Sequence, residues 1–275
     1  MNRRPAVSGL FYPSDPAELA QCVENMVKGA DNGANYGKIV SCVAPHAGYV
    51  YSGSVAARTY AALKRMDGLG SIDTFVVIGP NHTGLGYPIS VSVAESWATP
   101  LGKVRNDVEF AEFVSGEGGI ALDESAHRSE HSVEVQLPFL QVIAERFNCV
   151  FVCMGDQSYG SCKLLERSVS KAAEALRRRI LVIASSDFNH YESIEIAKRK
   201  DLPAIKLLER LDAIGFHRTI EASDDSACGY GPVTVAALYA KRHGAENGKL
   251  LEYSTSGSVT GDYSSVVAYS SIVFF

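Results

Sequence analysis

Three histidines follow short apolar runs, each at the point where a β-strand would hand over to a loop. Residues 39–44 lead into Pro45-His46-Ala47-Gly48-Tyr49, and residues 74–79 into Pro80-Asn81-His82-Thr83-Gly84. Residues 180–184 lead into Ser185-Ser186-Asp187-Phe188-Asn189-His190-Tyr191. Imidazole is the commonest side-chain ligand for transition metals, and the loops at the carboxyl ends of strands in an open α/β sheet meet in one crevice. Three imidazoles delivered there from distant segments make a metal site, with His46, His82 and His190 as its expected ligands. A fourth donor stands in Ala227-Cys228-Gly229-Tyr230-Gly231-Pro232, a cysteine in a glycine turn directly ahead of a helix. The positive end of a helix dipole favours the thiolate that metals bind; an ordinary turn cysteine is the alternative. Three imidazoles and a thiolate suit Fe, Cu or Zn.

Two more side chains are expected to handle protons. Asp187, three residues before His190, is placed to ligate, to act as a base, or to orient an imidazole; otherwise it caps its own turn. His131, in Glu130-His131-Ser132, is a candidate acid/base or substrate contact, in a stretch whose Glu134 and Gln136 also interrupt an apolar pattern. His127 falls on a loop, while His217 and His243 lie on helical stretches of mixed polarity and are expected to face solvent. A serine-hydrolase elbow, a P-loop and a dinucleotide fingerprint are all missing from the sequence.

The elements that must position these residues alternate. Asp15-Pro16-Ala17-Glu18 is a helix start, with Asp at the cap, Pro in the first turn and Glu three residues on. Further helices are expected over residues 54–66, 106–114, 163–178, 194–211 and 232–243, with strands over 89–94 and 150–154. Pro138 either kinks a helix over residues 133–147 or opens it. Two late β segments, 250–255 and 266–275, turn a parallel pattern into a mixed one. The expected fold is α/β: a single three-layer α/β/α domain spanning residues 1–275, built on a central mixed sheet.

Composition narrows the function. The 275 residues carry a net charge of −5, with 46% hydrophobic and 21% charged residues. Neither nucleic acid nor an anionic membrane surface is an expected partner for such a chain. Arg177-Arg178-Arg179 reads as a solvated helix end. The start lacks the apolar core of a signal peptide, and no apolar run is long enough to span a bilayer, so a cytoplasmic location is expected. The six cysteines form no C-x-x-C pair and are expected to be thiols.

The chain resembles the Memo family, known in microbes as AmmeMemoRadiSam system protein B. The likeness runs through Arg4-Pro5-Ala6-Val7-Ser8-Gly9-Leu10-Phe11-Tyr12-Pro13, Pro45-His46-Ala47-Gly48-Tyr49 and Gly79-Pro80-Asn81-His82. It continues through residues 130–139 and Ser185-Ser186-Asp187-Phe188-Asn189-His190-Tyr191, and closes on Cys228-Gly229 and residues 255–262. The resemblance implies a fold like the catalytic subunit of class III extradiol dioxygenases, which bind non-haem iron, with His46 and His82 matching the dioxygenase histidines. It further implies a pocket of His46, His82, His190 and Cys228 with Asp187 beside it, and a functional association with AMMECR1-like and radical SAM proteins. The leading expectation is a redox enzyme dependent on non-haem Fe or Cu and acting on a small organic substrate. A pocket that binds a peptide, a small ligand or a metal without turnover is the first alternative, and a Zn-dependent hydrolase the second.

Overall fold

A computed structural model describes residues 1–116 and 118–275. Its centre is four parallel strands whose side chains alternate strictly between two cores. These are β2 (Ser41–Ala44), β3 (Thr74–Pro80), β8 (Asn148–Met154) and β9 (Ile180–Ser185) in a sheet whose other strands are β1 (Asn2–Arg3), β4 (Ile89–Val91), β5 (Ser96–Thr99), β6 (Gly102–Asn106), β7 (Ala121–Leu122), β10 (His190–Glu192), β11 (Gly248–Thr255) and β12 (Val266–Phe274). Phe75, Val77, Cys149, Phe151, Leu181 and Ile183 enter one core, where α1 (Pro16–Ala30), α2 (Tyr49–Arg65) and α4 (Leu137–Ile143) pack. Val76, Ile78, Val150, Val152, Val182 and Ala184 enter the other, shared with α3 (Val108–Ser115), α5 (Tyr159–Ala175), α6 (Ile194–Glu209), α7 (Ala213–Ala222) and α8 (Tyr230–Arg242). Strands buried on both faces read as continuous apolar runs, which is why the sequence marks them so clearly. The architecture is the expected three-layer α/β/α arrangement.

The strand order through the sheet is β1-β5-β6-β8-β3-β9-β2-β12-β10. Parallel pairing of β3 with β9 and of β9 with β2 sets Ile78 beside Ala184 and Ala44 beside Ser185, so these strands end at one level. The loops carrying His46, His82 and His190 leave from that level, as ligand-bearing loops of an open α/β sheet do. The sheet is mixed at both sides: the late strands β12 and β11 run antiparallel to β2 and to β12, and among the earlier strands β4 runs antiparallel to β8 and β5 to β6. The apolar end Ile272-Val273-Phe274 is thereby buried inside the sheet.

Local chemistry accounts for the helix ends. Asp15 accepts a hydrogen bond from the Glu18 amide at 2.9 Å, and Pro16 occupies the first helical position. Pro138 opens α4 after a short 3-10 turn over Glu134–Gln136, resolving the choice between kink and start. Helix α2 starts at Tyr49, a turn and a half earlier than its apolar pattern suggests, because the Tyr49 amide donates to the Phe11 carbonyl at 2.8 Å. The chain's first segment thus does the work of a cap. Helix α7 carries Ala213, Phe216 and Ile220 into the core, and the expectation for His217 fails there. His217 is buried on α7, with Nε2 donating to the Gln157 carbonyl at 2.9 Å. Among the described residues no helix is long and apolar enough to cross a membrane.

Candidate metal centre

Among the described residues, His46, His82 and His131 form a group whose available ligand atoms all lie within 4.8 Å of one another. The ring centroids of His82 and His131 are 4.6 Å apart and nearly parallel; that of His46 is 5.2 Å from His82 and 5.4 Å from His131. Three ring nitrogens this close, from separate loops, could hold a metal ion. His131, expected as a proton-transfer group, therefore brings a ring nitrogen into the group that could hold a metal ion.

His82 is fixed by Glu130. One carboxylate oxygen contacts His82 Nδ1 at 2.9 Å and the other accepts from its backbone amide at 2.7 Å. The amides of His131 and Ser132 also donate to Glu130, each at 2.9 Å. Burial opposes a charge on Glu130, but the His82 hydrogen bond and charge, with the Ser132 amide and the charge of His131, outweigh it and hold the carboxyl down at about 2. A carboxylate on Nδ1 leaves Nε2 of His82 as the free donor, an arrangement common behind metal-bound histidines. Glu130 was visible in the sequence only as one member of a polar cluster; its i, i+2, i+4 and i+6 spacing with Ser132, Glu134 and Gln136 is the signal that marks it.

His46 is buried, with Nδ1 2.9 Å from Ser185 Oγ and Nε2 3.1 Å from Cys228 Sγ. Burial lowers its pKa well below the usual histidine value, and the neighbouring His131, His82 and His190 add to that effect. Burial likewise lowers His131, against the pull of Glu130, and lowers His190. A neutral imidazole keeps a lone pair for a metal, so the donor set fits a transition-metal ion.

Asp187, Cys228 and His190 all lie at this end of the sheet. Asp187 Oδ1 accepts from the His46 amide at 2.8 Å, while Oδ2 lies 4.0 Å from His46 Nε2. Burial pushes Asp187 up to about 7, against the amides of His46 and Ala47. Burial, then the charge of Asp187, raise the Cys228 pKa well above that of a free thiol, against the helix end behind it. Gly229 permits the turn, since a Cβ there would overlap the Ser185 carbonyl. His190 opens β10; its amide donates to Ser226 Oγ at 2.7 Å and its Nδ1 is buried without a partner. Its charge is felt at His46, but neither it nor Cys228 belongs to the 4.8 Å group.

The amino-terminal segment supplies a wall that residue-by-residue reading did not assign. The Phe11 ring packs 4.7 Å from that of His131. Buried Arg3 anchors this segment to Glu134 at 2.6 Å, and Glu134 also accepts from the Ala6 and Val7 amides and from Tyr12 Oη.

Behind His190 sits a carboxyl pair, Asp201 and Asp225. Asp201 Oδ1 accepts from the Asn189 amide at 3.3 Å and Oδ2 from Tyr253 Oη at 2.6 Å. Burial, then the nearby Asp225, push Asp201 up to about 9. An unfolded aspartate titrates near ~3.9, so between these values the folded state binds the extra proton. The stability this supplies is complete below the unfolded value and is lost as pH rises toward 9. Asp201→Asn, neutral throughout, is expected to flatten the fall in unfolding free energy between about pH 5 and pH 8, which for one proton is at most ~1.4 kcal/mol per pH unit. Urea denaturation at several pH values checks this; an unchanged slope would show that Asp201 is not its source.

Comparison with known proteins agrees with this architecture. A family model described as Memo-like protein matches residues 3–273. A MEMO1 family protein of Methanopyrus kandleri is 43% identical, covering 100% of this chain and 99% of its own length. One from Methanocaldococcus jannaschii is 44% identical over 98% of each chain. Among solved structures, an uncharacterized protein from Escherichia coli K12 shares the fold, with a TM-score of 0.54 at 14% identity, covering 86% of this chain and 100% of that one.

Proposed function

The chain belongs to the Memo-like family, and we propose that it is a metal-dependent enzyme performing redox chemistry on a small organic molecule, with iron or copper held by His46, His82 and His131. One observation carries this reading: three ring nitrogens from separate loops converge within 4.8 Å, and two of the rings are braced from behind by Glu130 and Ser185. Bound iron or copper would supply one-electron chemistry and polarise an oxygen or a substrate atom. Cys228, beside His46 Nε2, is placed to join the ligands once its proton leaves, and His190 to contact whatever enters. Asp187, with a carboxyl poised near neutrality, holds a proton 4.0 Å from His46 Nε2 and can pass it to a neighbouring atom. Phe11 keeps water from one side of His131.

The test is anaerobic purification followed by elemental analysis and oxygen-consumption assays over a panel of oxidisable small molecules. Stoichiometric iron or copper with turnover is the expected result. Zinc in its place would overturn the redox assignment and point to hydrolysis with Asp187 or His131 as base. A second reading, a pocket that captures a peptide without turnover, is favoured by the exposed Leu10 and Tyr87 on loops and the exposed Tyr191 in β10. Tight metal without turnover on any substrate would support it.

A further inference from the structure

We infer that Ser185 is a positioning residue that fixes the tautomer of His46, placing the imidazole proton on Nδ1 and leaving the Nε2 lone pair facing the histidine cluster. The inference rests on the metal-binding reading for its purpose, though not for its geometry. The warrant is a count of protons along a buried chain of hydrogen bonds.

The chain starts at Tyr60, whose Oη lies 2.7 Å from Gln136 Oε1. Gln136 Nε2 lies 2.9 Å from the Pro45 carbonyl, which can only accept, so this end of the amide is the NH2 group. Its second hydrogen goes to Ser185 Oγ, 2.8 Å away. Ser185 has one hydroxyl proton, and the Ser132 carbonyl, 2.6 Å from Oγ, takes it. The contact that remains to Ser185 Oγ, His46 Nδ1 at 2.9 Å, must therefore be donated by the ring. With its proton on Nδ1, Nε2 is an acceptor, and it meets Cys228 Sγ at 3.1 Å, where the thiol can donate.

The opposite tautomer would need the Ser185 proton at His46 Nδ1. Ser132 and Ser185 are both fully buried, so the Ser132 carbonyl would lose the partner that Ser185 provides, out of reach of water. Tyr60, Gln136 and Ser185 were absent from the expected site because none is a ligand. Their contribution is directional: each donor in turn leaves the next group a single choice.

The experiment is nitrogen-15 NMR of histidine side chains in the metal-free protein, paired with titration by Zn²⁺ alone. In the wild-type protein His46 is expected to carry its proton on Nδ1; a proton on Nε2 overturns the inference without any variant being made. Ser185→Ala is expected to redistribute the proton toward Nε2 and weaken Zn²⁺ binding by about 10- to 100-fold, with Ser185→Thr restoring both. Ser185→Ala with an unchanged tautomer overturns the inference. A wild-type protein that shows the Nδ1 proton yet binds no Zn²⁺ supports the tautomer lock and defeats the metal reading instead.

Discussion

His46→Ala is expected to abolish stoichiometric metal binding, weakening affinity by more than about 100-fold, since even losing a group that merely orients a ligand costs 10- to 100-fold. The same loss is expected for His82→Ala and His131→Ala, because the three share one 4.8 Å cluster. His190→Ala and Cys228→Ala are expected to cost less, as their donor atoms lie outside it. The fold should survive all five changes: the architecture rests on the two apolar cores flanking the sheet, and the site lies at the strand ends. Metal titration beside thermal melts separates binding from folding. Retention of full stoichiometry in His46→Ala would end the cluster assignment, whatever the other variants do.

Arg3→Ala is the substitution expected to damage the fold most. The Arg3 guanidinium is buried, 3.9 Å above the Trp97 ring, and bonds Glu134 at 2.6 Å, the His127 carbonyl at 2.8 Å and the Glu130 carbonyl at 2.7 Å. Removing it leaves Glu134 charged, fully buried and without its cation, which costs about 3–5 kcal/mol. A lower urea midpoint at unchanged denaturant sensitivity is the expected signature. Arg3→Met combined with Glu134→Gln should recover part of the loss, because the buried charge is gone while the Val7 and Tyr12 donors keep an acceptor; the Ala6 amide, bonded to the other carboxylate oxygen, loses its own. A loss below about 1 kcal/mol in Arg3→Ala would show that the buried Glu134 carboxylate does not depend on Arg3.

The central strands and the loops they feed were legible because a doubly buried strand has nowhere to hide its composition: residues 75–79 and 180–184 are apolar throughout. His46 and His82 followed directly. His131 was harder, since no strand announces it; it comes from the turn before α4, and only tertiary packing lays its ring on that of His82. Cys228 shows the opposite case. The helix start behind it was readable, but the burial and the charge of Asp187 that raise its pKa are properties of the assembled site. His217 was misplaced because one helical face looks the same whether solvent or a neighbouring carbonyl meets it. Ser185 and Gln136 matter through the direction of their hydrogen bonds, which spacing along the chain does not encode.

Bracing His46 and His82 from behind has a thermodynamic consequence. Rings already frozen by Ser185 and Glu130 surrender little rotational freedom when an ion arrives, so the ordering cost that flexible ligands meet on capture was met when the polypeptide folded. Occupancy should therefore leave the positions of both imidazoles almost unaltered, and a cation's size preference would be imposed on it by a rigid frame.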